Sequence, residues 1–320
     1  MGALGQKRKF KISTLNYKIM SFREGQQFSL KKIDKPFESG IDFNRLSAEA
    51  LKELWKNTLV SGMHGLCFSM YEDGQGPGNK ITEQQVDRRM QVIKPYTKWV
   101  RSFSCIEGNE FIPKVAHKHG IKTLVGAWLG NDLEKNEEEV EALIALAKEG
   151  CVDVAAVGNE VMYREELTEA QLIDYINRVK QALPGIPVGY VDAYYEFSQR
   201  PKITDACDVI LANCYPYWEG CSIEDSLYHA QQMFGEAIDA SQGKKVIITE
   251  SGWPSEGGSL KGAFSSKENA MRYFINIQKW SKNANIDLFY FSSFDESWKV
   301  GTEGDVGAYW GLWDKNEKLK

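Results

Sequence analysis

Eight short apolar runs recur between residues 64 and 292, separated by segments with helical periodicity. This alternation limits the fold more than any other feature of the chain. The runs are 64–69, 98–103, 121–128, 152–157, 187–191, 208–213, 245–250 and 286–292. Several are continuously apolar, as parallel strands buried on both faces are. Strand–helix repeats in this order predict an α/β fold, a closed (β/α)8 TIM barrel. A doubly wound open sheet is the competing arrangement, and the chain lacks a Gly-rich turn after its first strand to support it.

The intervening segments carry helix signals. Asn136 with Glu139 is read as a cap and its reciprocal partner, followed by a stripe of Val140, Leu143, Ile144 and Ala147 and a stop at Gly150. Thr168 with Gln171 starts another helix, striped by Leu172, Tyr175, Ile176 and Val179 and ended by Pro184-Gly185. Further helices are expected at 83–94, 110–119, 224–240 and 266–282. Residues 1–60 stand apart, and within them only 47–58 reads as a helix, with Leu51 and Trp55 able to face the barrel. The expected organisation is therefore a 1–60 extension packed on a 61–320 catalytic barrel, with residues 1–10 equally readable as a disordered tail.

Composition narrows the function classes. A net charge of -5 and a sequence pI near 5.6 argue against nucleic acid as the main partner. No apolar stretch reaches the roughly 20 residues that a membrane span requires. The start MGALGQKRKFK has no hydrophobic signal-peptide core, which fits either a cytoplasmic protein or a sequence given without its export signal. The six cysteines form no C-x-x-C pair and sit in or beside apolar runs, so buried free thiols are expected rather than zinc ligands. His64, His117, His119 and His229 make no H-E-x-x-H, and neither G-x-S-x-G nor a phosphate-binding G-x-x-x-x-G-K-[ST] occurs.

Active sites of such barrels lie at the C-terminal ends of the strands. Of 44 acidic residues, few end an apolar run. Glu250 follows Val246-Ile247-Ile248-Thr249, and Glu160 follows Val154-Ala155-Ala156-Val157-Gly158-Asn159. A carboxylate there points into the barrel mouth, where leaving it unpaired is costly. Strand two carries Arg101. Two facing carboxylates are what glycoside hydrolysis needs, one to protonate the leaving oxygen and one to act at the anomeric side. Their separation, roughly 5–5.5 Å for retention and roughly 6.5–9.5 Å for inversion, is not readable from sequence. Tyr71, Trp128, Trp253 and Trp298 follow strands and are candidate sugar-stacking platforms, whereas Trp310 and Trp313 are expected to pack.

These residues also carry a resemblance. Gly158-Asn159-Glu160 after strand four and Thr249-Glu250-Ser251-Gly252-Trp253-Pro254-Ser255 after strand seven resemble glycoside hydrolase family 17, the β-1,3-glucanases of the four/seven barrel clan. Tyr215-Pro216-Tyr217-Trp218 is similar to that family's aromatic stretch after strand six. Phe294-Asp295-Glu296-Ser297-Trp298-Lys299 is similar to its F-x-E-x-x-K segment after strand eight. The resemblance spans about residues 63–314 and is closer to bacterial or fungal than to plant members. The loop from Tyr71 to Gly78 departs from the plant pattern.

The resemblance implies retention, with Glu160 as acid/base and Glu250 as nucleophile. Asn159 would bind the sugar 2-hydroxyl, Tyr215 would donate to Glu250, and Arg101 would pair with Glu250 and favour its charged form. Glu296 and Lys299 are read as a sugar-binding pair or a rim salt bridge. The implied enzyme cleaves β-1,3-glucan, laminarin-like, as a monomer without metal or cofactor. The polymer substrate implies a secreted or cell-envelope location. Transglycosylation uses the same two glutamates. An inert β-glucan-binding barrel is the alternative of another class, and the presence of both carboxylates argues against it.

Overall fold

The computed structural model describes residues 38–320; the reading of residues 1–10 as a tail lies outside the described residues. Eight parallel strands close into a barrel. They are β1 Met63–Cys67, β2 Thr97–Ser102, β3 Lys122–Ala127, β4 Val154–Asn159, β5 Val188–Ala193, β6 Val209–Asn213, β7 Val246–Ser251 and β8 Leu288–Tyr290. β1 pairs with β8 and closes the ring, which rules out the open sheet. All six residues of β4, β5 and β7 are buried, which is why these runs lack polar alternation.

Among the described residues seven longer helices surround the barrel: α1 Ala48–Val60, α2 Glu83–Ile93, α3 Phe111–Lys118, α4 Leu133–Lys148, α5 Glu169–Ala182, α8 Ser226–Ala240 and α9 Lys267–Asn283. Two short ones, α6 Glu196–Gln199 and α7 Pro201–Ala206, bridge β5 to β6. Each is under two turns, too short to show periodicity, and Pro201 sits in the first turn of the second. The eight-fold repeat is also incomplete at its end, where β8 is followed only by the short helical pieces Ser297–Lys299, Val300–Glu303 and Asp305–Tyr309. α1 instead packs on α9 and on the Lys94–Tyr96 turn, in the place an eighth helix would take. Its Leu51 and Trp55 are buried, and Trp55 meets Phe274 edge-on with ring centroids 6.3 Å apart.

The capping of α5 is as read, with Thr168 and Gln171 forming a capping box. The start of α4 is not. Asp132 is its N-cap, accepting from the Lys135 amide at 3.2 Å, so the helix begins before Asn136. Asn136 and Glu139 are engaged elsewhere. The Asn136 side chain bonds both the amide and the carbonyl of Gly130 at 2.8 Å, and Glu139 accepts from Ser104 Oγ (2.5 Å) and the Cys105 amide (2.8 Å). The cap-like spacing was real, but its polar groups serve the loops at the top of β2 and β3.

All six cysteines are free, and five are buried. No helix among the described residues is long and apolar enough to cross a membrane. If α1 is part of the cooperative fold, Trp55→Ala should destabilise the protein by about 3–5 kcal/mol. Denaturant unfolding checks this, and a loss under about 1 kcal/mol would show that α1 folds independently of the barrel.

Candidate active site

β7 delivers Glu250 at its C-terminal end, and β4 delivers Asn159 and then Glu160. The β4 exit is sharply bent. Gly158 has φ +86°, and a Cβ there would lie 3.4 Å from the Tyr190 ring. Glu160 itself has φ +52°, an uncommon conformation for a non-glycine residue and one that clusters at functional sites. The ladder also shifts register between Ala156 and Asn159 and between Ala212 and Asn213. Such irregularities re-aim side chains at barrel rims.

Glu250 is buried and every partner it has is a donor, as an ionised carboxylate requires. Arg101 Nη1 donates to Oε1 at 2.5 Å, Asn213 Nδ2 to Oε1 at 3.1 Å, and the Tyr215 hydroxyl to Oε2 at 2.8 Å. Arg101 Nη2 donates to Asn159 Oδ1 at 2.6 Å, so one guanidinium ties β2 to both β4 and β7. Glu160 takes a single side-chain bond, from Asn213 Nδ2 at 2.8 Å. Burial, and then the charge of Glu250, push its carboxyl well above the ordinary carboxylate range, against the opposing pull of that bond and of Arg164 and Arg101. The Thr249 hydroxyl donates to Asn213 Oδ1 at 2.8 Å, which turns the amide nitrogen toward the two carboxyl groups.

One nitrogen thus holds an oxygen of each glutamate at 2.8 and 3.1 Å. Those two oxygens cannot be more than about 6 Å apart, which is shorter than the roughly 6.5–9.5 Å between the carboxyl groups of an inverting pair.

The pair faces a cavity of about 390 Å³ whose lining includes Asn159, Glu160, Tyr215 and Glu250. Trp128, Tyr163 and Arg164 form one side; Tyr71, Pro77 and Trp298 form another. Aromatic walls around a few convergent polar groups are usual for ligand pockets.

Residues 65–311 match the family described as the BtgE/BtgC glycoside hydrolase domain. The chain belongs to this glycoside hydrolase family. It is also similar to the family 17 β-1,3-glucanosyltransferase of Rhizomucor miehei, at 30% identity and a TM-score of 0.73 over 82% of this chain and 96% of that one. That match places it in glycoside hydrolase family 17. Among curated proteins it resembles the glucan 1,3-beta-glucosidase of Saccharomyces cerevisiae, 25% identical over 88% of this chain and 94% of that protein. A glucan 1,3-beta-glucosidase of Candida albicans is 26% identical over 82% and 93%. These relatives are of fungal type. A β-glucuronidase of Dictyoglomus thermophilum, 19% identical with a TM-score of 0.62, shares the fold alone.

Within this family 17 barrel, most of the residues singled out from the sequence meet at one place. Glu160, Glu250, Asn159, Tyr71, Tyr215, Glu296, Trp298, Lys299 and Trp128 all line the cavity. Glu296 and Lys299 are paired at 2.5 Å, and the Lys299 ammonium lies 4.2 Å from the centre of the Phe291 ring. One of the substrate-contact expectations needs correction. Trp253 is only 1% exposed, donates to the Phe264 carbonyl at 2.9 Å, and packs against Tyr217 and Tyr273; the β7 exit turns it into the core instead of over the cavity. Arg101 pairs with Glu250 as read, but it is buried beneath the floor of the cavity and does not line it. Trp310 and Trp313 pack, as read, and Trp310 lies against Tyr215.

Several site residues were missed. Asn213 ends the apolar run Val209-Ile210-Leu211-Ala212, the very signal that singled out Glu250, and Thr249 directly precedes Glu250. Arg164 Nη1 clasps the Asn159 carbonyl at 2.5 Å, and Glu303 lines the cavity with its carboxyl pushed up to about 7 by burial. No sequence pattern points to these two, which lie in irregular segments.

Removing Arg101 would leave the buried Glu250 without its ion-pair partner. Arg101→Ala is expected to cost about 3–5 kcal/mol of stability. Adding Glu250→Gln to that variant should recover part of the loss, because the uncompensated charge disappears. Thermal unfolding of the two variants checks this, and no recovery in the double variant would argue that the pair is not the source of the loss.

Proposed function

We propose that this glycoside hydrolase cleaves β-1,3-glucan with retention of anomeric configuration, and that the observation supporting retention most directly is the Asn213 amide bridging Glu160 and Glu250. A pair this close leaves no room for a water between carboxylate and sugar, so the carboxylate itself attacks. Glu250 is the nucleophile: three donors fix its orientation and leave its oxygens as acceptors. Glu160 is the acid/base. Burial, and then the neighbouring Glu250, raise its pKa, which keeps its proton available for the leaving oxygen. In the first step Glu160 protonates the leaving glycosidic oxygen as Glu250 bonds the anomeric carbon. In the second, Glu160 takes a proton from the incoming hydroxyl and the glycosyl–Glu250 bond breaks.

Asn159 has its Oδ1 occupied by Arg101, which makes its amide nitrogen the group available to a sugar 2-hydroxyl. Tyr71, Trp128 and Trp298 supply apolar faces for sugar rings, and Glu296 with Lys299 supplies hydroxyl contacts at the rim. The barrel from residue 61 is the catalytic domain, with the preceding segment as its extension, and it acts as a monomer. A polymeric substrate of this kind places the enzyme outside the cell or at its envelope.

A second reading, transfer of the glycosyl group to a sugar hydroxyl, is favoured by the likeness to the Rhizomucor miehei glucanosyltransferase. The two readings differ only in the acceptor of the second step.

Incubation with laminari-oligosaccharides of defined length separates them: shorter products alone mean hydrolysis, and products longer than the starting sugar mean transfer. No turnover on any β-1,3-linked substrate would overturn the substrate assignment. Glu250→Ala should lower turnover by at least about 10⁴-fold, and Glu160→Ala on a substrate with a good leaving group should be accelerated by azide with formation of a β-glycosyl azide. An α-azide product would refute retention by Glu250.

The pH profile follows from the sign of the Glu160 shift. Glu160 works protonated, so kcat/KM should fall as pH rises through its raised pKa, putting the alkaline limb well above the ordinary carboxylate range. An alkaline limb near pH 4–5 would contradict this assignment.

A further inference from the structure

A second buried carboxyl group lies behind Glu160. Asp192 interrupts the apolar strand β5, is fully buried, and does not line the cavity. Among the described residues no cation lies within ion-pair distance of it. Burial of this kind is costly, and packing alone would favour an apolar side chain. Burial and the neighbouring Glu160 both push its carboxyl well above the usual range.

Its partners give it a purpose. Asp192 Oδ1 accepts from the Ala193 amide at 2.7 Å. Oδ2 accepts from the Tyr163 amide at 3.3 Å and is bonded to the Tyr190 hydroxyl. That hydroxyl in turn accepts from the Met162 amide at 2.8 Å, and the Glu160 amide donates to the Val191 carbonyl at 2.8 Å. Three consecutive residues of β5 therefore hold the backbone at 160, 162 and 163, the segment immediately after β4. This is the turn in which Glu160 adopts φ +52°, a conformation that persists only when its surroundings over-determine it. On the far side of the same turn, Arg164 holds the carbonyls of Asn159 and Leu129 and lies over the Trp128 ring, 4.7 Å from its centre.

We propose that Asp192 and Tyr190 are positioning residues for the acid/base: through the amides of Met162 and Tyr163 they aim the Glu160 carboxyl at the leaving glycosidic oxygen. Neither touches substrate. The inference rests on the reading of Glu160 as acid/base, and it separates proton delivery from all other parts of catalysis. Loosening this turn moves the proton donor while leaving Glu250, held by Arg101, Asn213 and Tyr215, in place.

The test uses leaving groups that differ in their need for a proton. Laminari-oligosaccharides need the acid; a 2,4-dinitrophenyl β-laminaribioside does not, and its kcat/KM reports only formation of the glycosyl-enzyme. For Asp192→Asn and Tyr190→Phe, kcat/KM on the oligosaccharide should drop roughly 10–100-fold, less than the full contribution of a general acid. On the dinitrophenyl substrate it should change less than about threefold, with KM for the oligosaccharide nearly constant. Azide should restore kcat on the dinitrophenyl substrate. Tyr190→Phe keeps the ring against Phe197, so it carries the test if Asp192→Asn does not fold. Equal losses on both substrates, or no loss on either, overturn the proposal. Glu160→Ala is the reference: if it shows the leaving-group split and the other two variants do not, only the positioning role fails. If Glu160→Ala shows no split, the acid/base assignment itself fails.

Discussion

Arg101 reaches from β2 beneath the cavity to Glu250 on β7 and Asn159 on β4, and the polar floor of the site is arranged around its charge. A guanidinium and a carboxylate buried together lose much of their hydration, and their attraction offsets that loss only when geometry is good and other donors complete the set. The other donors are Asn213, at the C-terminal end of β6, and Tyr215, just beyond it. Their placement explains why the polar residues of this chain gather at strand ends: each satisfies a group that the barrel mouth would otherwise leave unpaired.

The same floor drives the two glutamates apart chemically. Both sit at the barrel mouth and share a bond to one amide nitrogen. Glu250 takes three donors, one of them charged; Glu160 takes one neutral donor and faces the charge of Glu250. Burial with one neutral donor disfavours ionisation of Glu160. The two glutamates thereby meet different surroundings, as the proposed division into acid/base and nucleophile needs, and the bent β4 exit is the backbone cost of holding Glu160 there. The clasp of Arg164 on one side of that exit and of Tyr190 and Asp192 on the other makes the turn a rigid element, as precise catalytic geometry requires.

Around the floor, aromatic side chains divide into two groups. Tyr71, Trp128 and Trp298 stay partly exposed and line the cavity. Trp253, Trp310 and Trp313 are buried, and with Tyr215, Tyr217 and Phe291 the first two build a packed cluster beneath the loops after β6, β7 and β8. The loop after β1 is fastened onto the Trp298 segment: Asp73 accepts from Ser297 at 2.7 Å and pairs with Lys315 at 2.8 Å, and a side chain at Gly76 would press on Trp298. This wall of the cavity is therefore fixed by contacts between the two ends of the barrel sequence.

Much of this was legible in the chain alone. Short apolar runs, several of them continuous because parallel strands are buried on both faces, marked all eight strands, and a carboxylate ending such a run marked Glu160 and Glu250 because an isolated charge there is costly. The resemblance to family 17 rested on those same strand ends. Tertiary structure decided what depends on direction and distance. Trp253 and Trp298 look alike in sequence, both following a strand, and only the path of the backbone sends one into the core and the other to the cavity. Asn136 and Glu139 have the spacing of a cap, yet loops from β2 and β3 come close enough to claim them. The closeness of the two carboxylates, the bridge by Asn213, the clasp by Arg164 and the support from Asp192 all join residues far apart in the chain. Sequence records which groups are available; the closing of the barrel decides which of them meet.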